Sequence, residues 1–187
     1  SAGAWRFAAW LQPQAYESYQ KLMNAYITAH FTRKDTPKTI LDKFLQILNQ
    51  YIEDDALPFA LANKRYRLSV ITARAKHLVA SEIRMLQTGG LAVCYLMNWL
   101  NRNHLYRFAD RVVFFNGIKP PAFCFQPQFL GKYVRINEAN FKYAVMASGA
   151  IPLVVAGVKN IFNAPRGVYR DGGLIDYHLS HQFAAKE

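Results

Sequence analysis

Two places in the chain join a reactive side chain to small residues that leave it accessible. The first is Ser1-Ala2-Gly3, directly ahead of an apolar run that reads as a helix from Ala4. Small residues behind a serine let the backbone turn sharply, hold the hydroxyl clear and set it against the positive end of the helix dipole. That is the right-hand half of a Gly-x-Ser-x-Gly elbow, whose serine is an acyl-transfer nucleophile. The same three residues also make an ordinary helix start. The second place is Tyr169-Arg170-Asp171-Gly172-Gly173, where an aspartate leaves a short strand into two glycines. Glycine permits turns that larger residues resist, so the Asp171 carboxylate can stay at the sheet edge as a base. An Asx turn, or a charge pair with Arg170, would use the same residues differently.

Other groups make weaker constellations. His178 and His181 stand near Asp176, but zinc usually takes four ligands and no third and fourth accompany them. The sequence therefore implies no metal and no cofactor. A Ser-His-Asp triad through His178 ranks ahead of a metal site. Ser1 as a self-generated N-terminal nucleophile, with its own amino group as base, would leave Asp171 idle and belongs with antiparallel layers. Two cysteines, Cys94 and Cys124, make neither a disulfide framework nor a cysteine-rich zinc module.

These groups need a frame. The 187 residues suit one domain. A composition of 52% hydrophobic and 14% aromatic against 19% charged residues can bury a sizeable core, which excludes disordered and collagen-like classes. The longest uncharged run considered, Ala144 to Val158, is broken by Gly149 and Pro152 and falls short of the roughly 18 apolar residues of a membrane span. The net charge of +11 favours anionic surfaces, with Lys64, Arg65, Arg67, Arg74 and Lys76 as its densest run. No nucleic-acid-binding motif accompanies it, so no nucleic-acid partner is expected.

Periodicity supplies the elements. Trp5, Phe7, Ala8, Ala9, Trp10 and Leu11 continue the first helix. Tyr16, Tyr19, Leu22, Met23, Tyr26 and Ile27 line one face of a second, read first as core and otherwise as a lid over a greasy groove. Thr36-Pro37 caps a third helix, which runs to Ile52. Residues 66–73 read as a strand, 81–101 as helix, 112–115 and 132–136 as strands, and Asn137 as the cap of a helix through Ser148. Val168-Tyr169-Arg170 is a last short strand. Strands alternating with helices imply crossovers, hence a layered α/β/α fold with a mainly parallel sheet.

Ser1-Ala2-Gly3-Ala4-Trp5, then Ala147-Ser148-Gly149-Ala150-Ile151-Pro152, then Tyr169-Arg170-Asp171-Gly172-Gly173, in that order, resemble the patatin-like phospholipase family. Residues 137–178 carry the specific part, and residues 11–130 fit only in the order of helices and strands. The resemblance implies a lipid acyl hydrolase with a Ser-Asp dyad. Ser1 is its nucleophile and Asp171 its general base, with Ala2, Gly3, Gly172 and Gly173 as active-site backbone, and no histidine is required.

Residues 1–187 are then the C-terminal part of one patatin-like domain. That family's glycine-rich oxyanion loop and the strand feeding its elbow lie ahead of the serine, so the chain is expected to be a fragment, nearly inactive alone, from an active parent. Losing one oxyanion donor already costs about a hundred- to a thousandfold in turnover. The expected partners are an acyl-ester or lipid substrate and, peripherally, an anionic membrane surface, with a cytoplasmic or membrane-peripheral location. A non-catalytic lipid- or protein-binding pseudoenzyme is the alternative.

Overall fold

The computed structural model describes residues 2–76, 88–89, 108–125 and 129–175. Within them lie helices α1 (Ala2–Trp10), α2 (Ala15–Thr28), α3 (Pro37–Tyr51), α4 (Leu57–Ala62) and α5 (Phe141–Ala147). The strands are β1 (Ser69–Ala75), β2 (Ala109–Phe115), β3 (Lys132–Arg135), β4 (Val158–Lys159) and β5 (Val168–Asp171). The helix read over 81–101 falls almost wholly outside the described residues.

Local chemistry explains the helix boundaries. The Thr36 hydroxyl accepts the Thr39 N–H at 3.2 Å, and the Thr39 hydroxyl accepts the Thr36 N–H at 2.8 Å. This reciprocal cap satisfies donors that the first turn of α3 would leave orphaned, and Pro37 sits where no amide is needed. Before α5, the Asn137 amide donates to the Asn140 side chain at 2.9 Å and the Asn140 amide to that of Asn137 at 3.0 Å. On α2, Ser18, Leu22 and Ala25 are buried, one stripe at helical spacing. Tyr16, Tyr26 and Ile27 are exposed. The aromatic face therefore does not belong to the core as a unit: small residues let α2 lie close to its neighbours, Tyr19 packs against the edge of the core, and Tyr16 and Tyr26 stand outside it.

All five helices turn their buried residues to one face of the sheet. Strand alternation sorts the two sides: Val70, Val112, Phe114 and Tyr169 join Trp5, Leu22, Leu48, Tyr51 and Phe141 in the main core. Val113 faces the other way, with Phe123, Cys124 and Phe129.

The strand order is β3-β2-β1-β5-β4. Among the described strands β2 and β3 alone pair in parallel; β1–β2, β1–β5 and β4–β5 are antiparallel. The expectation of a mainly parallel sheet is therefore corrected. An alternating order of strands and helices does not fix the edge at which a connection re-enters the sheet, and here both neighbours of β1 run against it. β2, β3 and β5 nevertheless share a direction, so Phe115, Arg135 and Asp171 end strands that point the same way.

The basic run is also divided. Lys64, Arg65 and Arg67 precede β1 and are exposed. Arg74 and Lys76, about 20 Å further along at the strand's rise of about 3.3 Å per residue, form ion pairs with Asp110 of β2. Lys132 of β3 reaches the same carboxylate at 3.2 Å. Burial alone would raise the Asp110 pKa, but hydrogen bonds from Lys76, Arg74 and Lys132 outweigh it and lower it to about 2.

Candidate active site

One cavity of about 300 Å³ is lined by Trp5, by Gly149 and Ile151, and by Asp171, a part of each of the three segments quoted for the resemblance. Its wall takes Trp5 and Arg6 from α1, Leu22, Met23 and Tyr26 from α2, and Phe44 from α3. Gly149 and Ile151, after α5, and Asp171, at the end of β5, close it. Apolar surface dominates, with one acid and one base among the described lining groups.

Trp5 organises the interior end. Its ring meets Phe44 edge-on, with centroids 5.1 Å apart and planes at 79°, a geometry that aromatic quadrupoles favour. The buried Tyr51 hydroxyl donates to the Trp5 carbonyl at 3.2 Å and fixes α1 against α3. Gly149 leaves room for both rings: a β-carbon there would stand 3.2 Å from Trp5 Nε1 and 3.4 Å from Phe44 Cε2.

Asp171 is held by backbone. Its own amide donates to the Ala150 carbonyl at 3.1 Å, joining β5 to the segment after α5. Its Oδ1 accepts the Gly173 amide at 2.8 Å, so the Asx turn weighed from sequence is present, and it aims the carboxylate without removing it from the cavity wall. The pairing with Arg170 has a simpler replacement: Arg170 is fully buried and donates to the Val155 carbonyl at 3.2 Å.

The glycines have a different cause from the turn freedom expected of them. A β-carbon on Gly172 would lie 2.5 Å from the Ile71 carbonyl oxygen of β1. Close backbone approach, not a left-handed conformation, demands glycine there. At Gly173 a β-carbon would come within 3.2 Å of Asp171 Oδ1, so glycine keeps that amide within reach of the carboxylate.

Ser1 lies outside the described residues, as do Asp176, His178 and His181. Ala2 and Gly3 form the first turn of α1. Ser148 is buried, and its hydroxyl donates to the Val145 carbonyl at 2.7 Å, which gives it a capping use. Among the described residues no group of three or more His, Cys, Asp or Glu side chains could hold a metal ion, and no helix is long and apolar enough to cross a membrane.

No family model matches the chain, and no characterised protein or solved structure gives a significant match. An acid set in an apolar wall, beside the opening turns of a helix, suits general-base work next to a greasy ligand. Of the cavity residues, Leu22, Met23 and Tyr26 lie on the face weighed from sequence as a lid over a greasy groove, whereas Arg6 was not singled out. For Arg6 there was a signal: it is the one charge in the apolar run from Ala4 to Leu11.

Proposed function

We propose that the protein is a lipid acyl hydrolase, a serine carboxylic-ester hydrolase of patatin-like type with a Ser1-Asp171 dyad. The observation that carries this reading is the convergence of α1, the segment after α5 and Asp171 on one apolar cavity. In the proposed reaction the Asp171 carboxylate takes the Ser1 hydroxyl proton as the serine oxygen bonds to the ester carbonyl carbon. Collapse of the tetrahedral intermediate breaks the ester C–O bond; the proton leaves with the alcohol and the acyl group stays on Ser1. Asp171 then takes a proton from water, hydroxide adds to the acyl carbon, and the serine regains its proton as the fatty acid departs.

The backbone of Ala2, Gly3, Gly172 and Gly173 shapes both ends of this dyad, and the acyl chain lies along Trp5, Leu22 and Phe44. Helices on both faces of the sheet, as in the patatin-like layering, belong to the same proposal; α1 to α5 support one face. With a largely antiparallel sheet, strand direction no longer argues against an N-terminal serine nucleophile. Asp171 in the cavity wall is what favours the dyad.

Labelling the natural protein with a fluorophosphonate ester tests the reading. Modification of Ser1 that collapses in Asp171→Asn is the expected result. A folded protein that takes no label would leave a lipid- or protein-binding module in its place. Exposed Lys64, Arg65 and Arg67 suit peripheral contact with anionic membrane, and replacing all three by Ser is expected to reduce sedimentation with anionic vesicles.

A further inference from the structure

We infer that the cavity takes a single-chain amphiphile with an anionic head, and that Arg6 is the residue that selects the head. This deepens the acyl-hydrolase reading by naming a ligand class, yet its binding half stands without catalysis.

Size argues for one chain. At about 300 Å³ the cavity lies at the lower end of the roughly 300–1,000 Å³ typical of small-molecule sites. One alkyl chain against Trp5, Leu22, Met23 and Phe44 uses that space; a two-chain lipid would leave much of its apolar surface in water.

Charge argues for the head. Arg6 is the only cation among the described lining residues. It sits exposed on α1, with Trp5 beside it in sequence buried, so one helical turn presents an apolar wall and a cationic rim. No described side chain pairs with its guanidinium. A planar guanidinium binds carboxylate or phosphate through two parallel hydrogen bonds. Of the charged groups in the described lining, Arg6 is the one that attracts an anion, since a carboxylate such as Asp171 repels it. A substrate held by Arg6 places its chain on the aromatic wall and its anionic group at the cationic rim.

Binding of dodecyl phosphate, dodecanoate and neutral dodecanol to the full chain, below their aggregation concentrations, tests the inference by calorimetry. None of the three contains an ester, so this result and the labelling result fail separately. Wild type is expected to bind at least one anion roughly tenfold or more tighter than dodecanol, as a charge-assisted contact allows. The stronger of phosphate and carboxylate identifies the head.

Arg6→Gln should abolish that preference and leave dodecanol binding unchanged, while Arg6→Lys should retain part of it. Arg135→Gln, an exposed change on β3, should keep the preference and so separates local recognition from net charge. Equal wild-type affinity for all three ligands would overturn the inference, as would an Arg6→Gln variant of unchanged thermal stability that keeps the preference.

Discussion

Asp110 and Asp171 stand on the same sheet and illustrate two uses of a carboxylate. Asp110, at the start of β2, collects Arg74, Lys76 and Lys132. Three cations from the ends of its two neighbouring strands, β1 and β3, satisfy it, so its charge is spent on holding β1, β2 and β3 in register. Asp171 closes β5 in the wall of an apolar cavity, aimed by the Gly173 amide. The contrast teaches that a strand-end acid is read by what surrounds it. A carboxylate ringed by cations is a fastener; one in the wall of an apolar cavity is open to the ligand role proposed for it.

The largest expected effect separates the two acids by activity. Asp171→Asn should lower Ser1 labelling or ester turnover by about a hundred- to ten-thousandfold, the usual contribution of a general base. Asp110→Asn should leave both unchanged. A fall of the same size in both variants, measured on folded protein, would erase the distinction.

Next in size is Gly172→Ala. With a β-carbon 2.5 Å from the Ile71 carbonyl oxygen, β5 must shift from β1, at a cost of about 3 kcal/mol, the upper part of the overpacking range. Urea unfolding measures it, and an unchanged midpoint would show that the turn can relax elsewhere.

Asp110→Asn has a smaller effect, and pH reveals its sign. The folded carboxyl has a pKa lowered to about 2, below the roughly 3.9 of an unfolded aspartate. Its stabilisation is therefore present above the unfolded value and lost as pH falls through the folded one. The variant should be less stable by about 2 kcal/mol at pH 7, and the gap should close near pH 2. A gap that persists at pH 2 would mean that packing, not charge, explains the loss. The smallest effect is at Thr36→Ala, about 1 kcal/mol for a lost cap, with Phe44 kept on the cavity because α3 retains its core contacts.

Much of the frame was legible because its signals are local. Thr36-Pro37 marks where α3 begins, and Val112 to Phe115 read as strand within β2. Sheet direction was not legible: it depends on where long connections return, which no residue pattern encodes. β4 has only two residues, Val158 and Lys159, too few for an alternation to register. A β-carbon on its neighbour Gly157 would clash with Val168 of β5, and that crowding depends on a partner strand that begins eleven residues later. Of the candidate site, Asp171-Gly172-Gly173 was found from sequence. The stripe read on α2 divides: Leu22 is core and Tyr19 packs against it, whereas Tyr16, Tyr26 and Ile27 are exposed, and the buried Ser18 and Ala25 carry no hydrophobic signal.

The hydrogen bond from Tyr51 to Trp5 resists opening of the cavity wall. Burial raises the Tyr51 pKa, so the hydroxyl remains a donor throughout the physiological range. Pulling α1 away from α3 would strand that donor without water, a penalty of about 1–3 kcal/mol before any packing is lost. α2 packs on both α1 and α3, through buried Ser18, Leu22 and Ala25 and through Tyr19, whose ring centroid lies 5.8 Å from that of Trp10. The three helices therefore resist opening as one unit, and amide hydrogen exchange along α1 and α2 should be slowed to a similar degree.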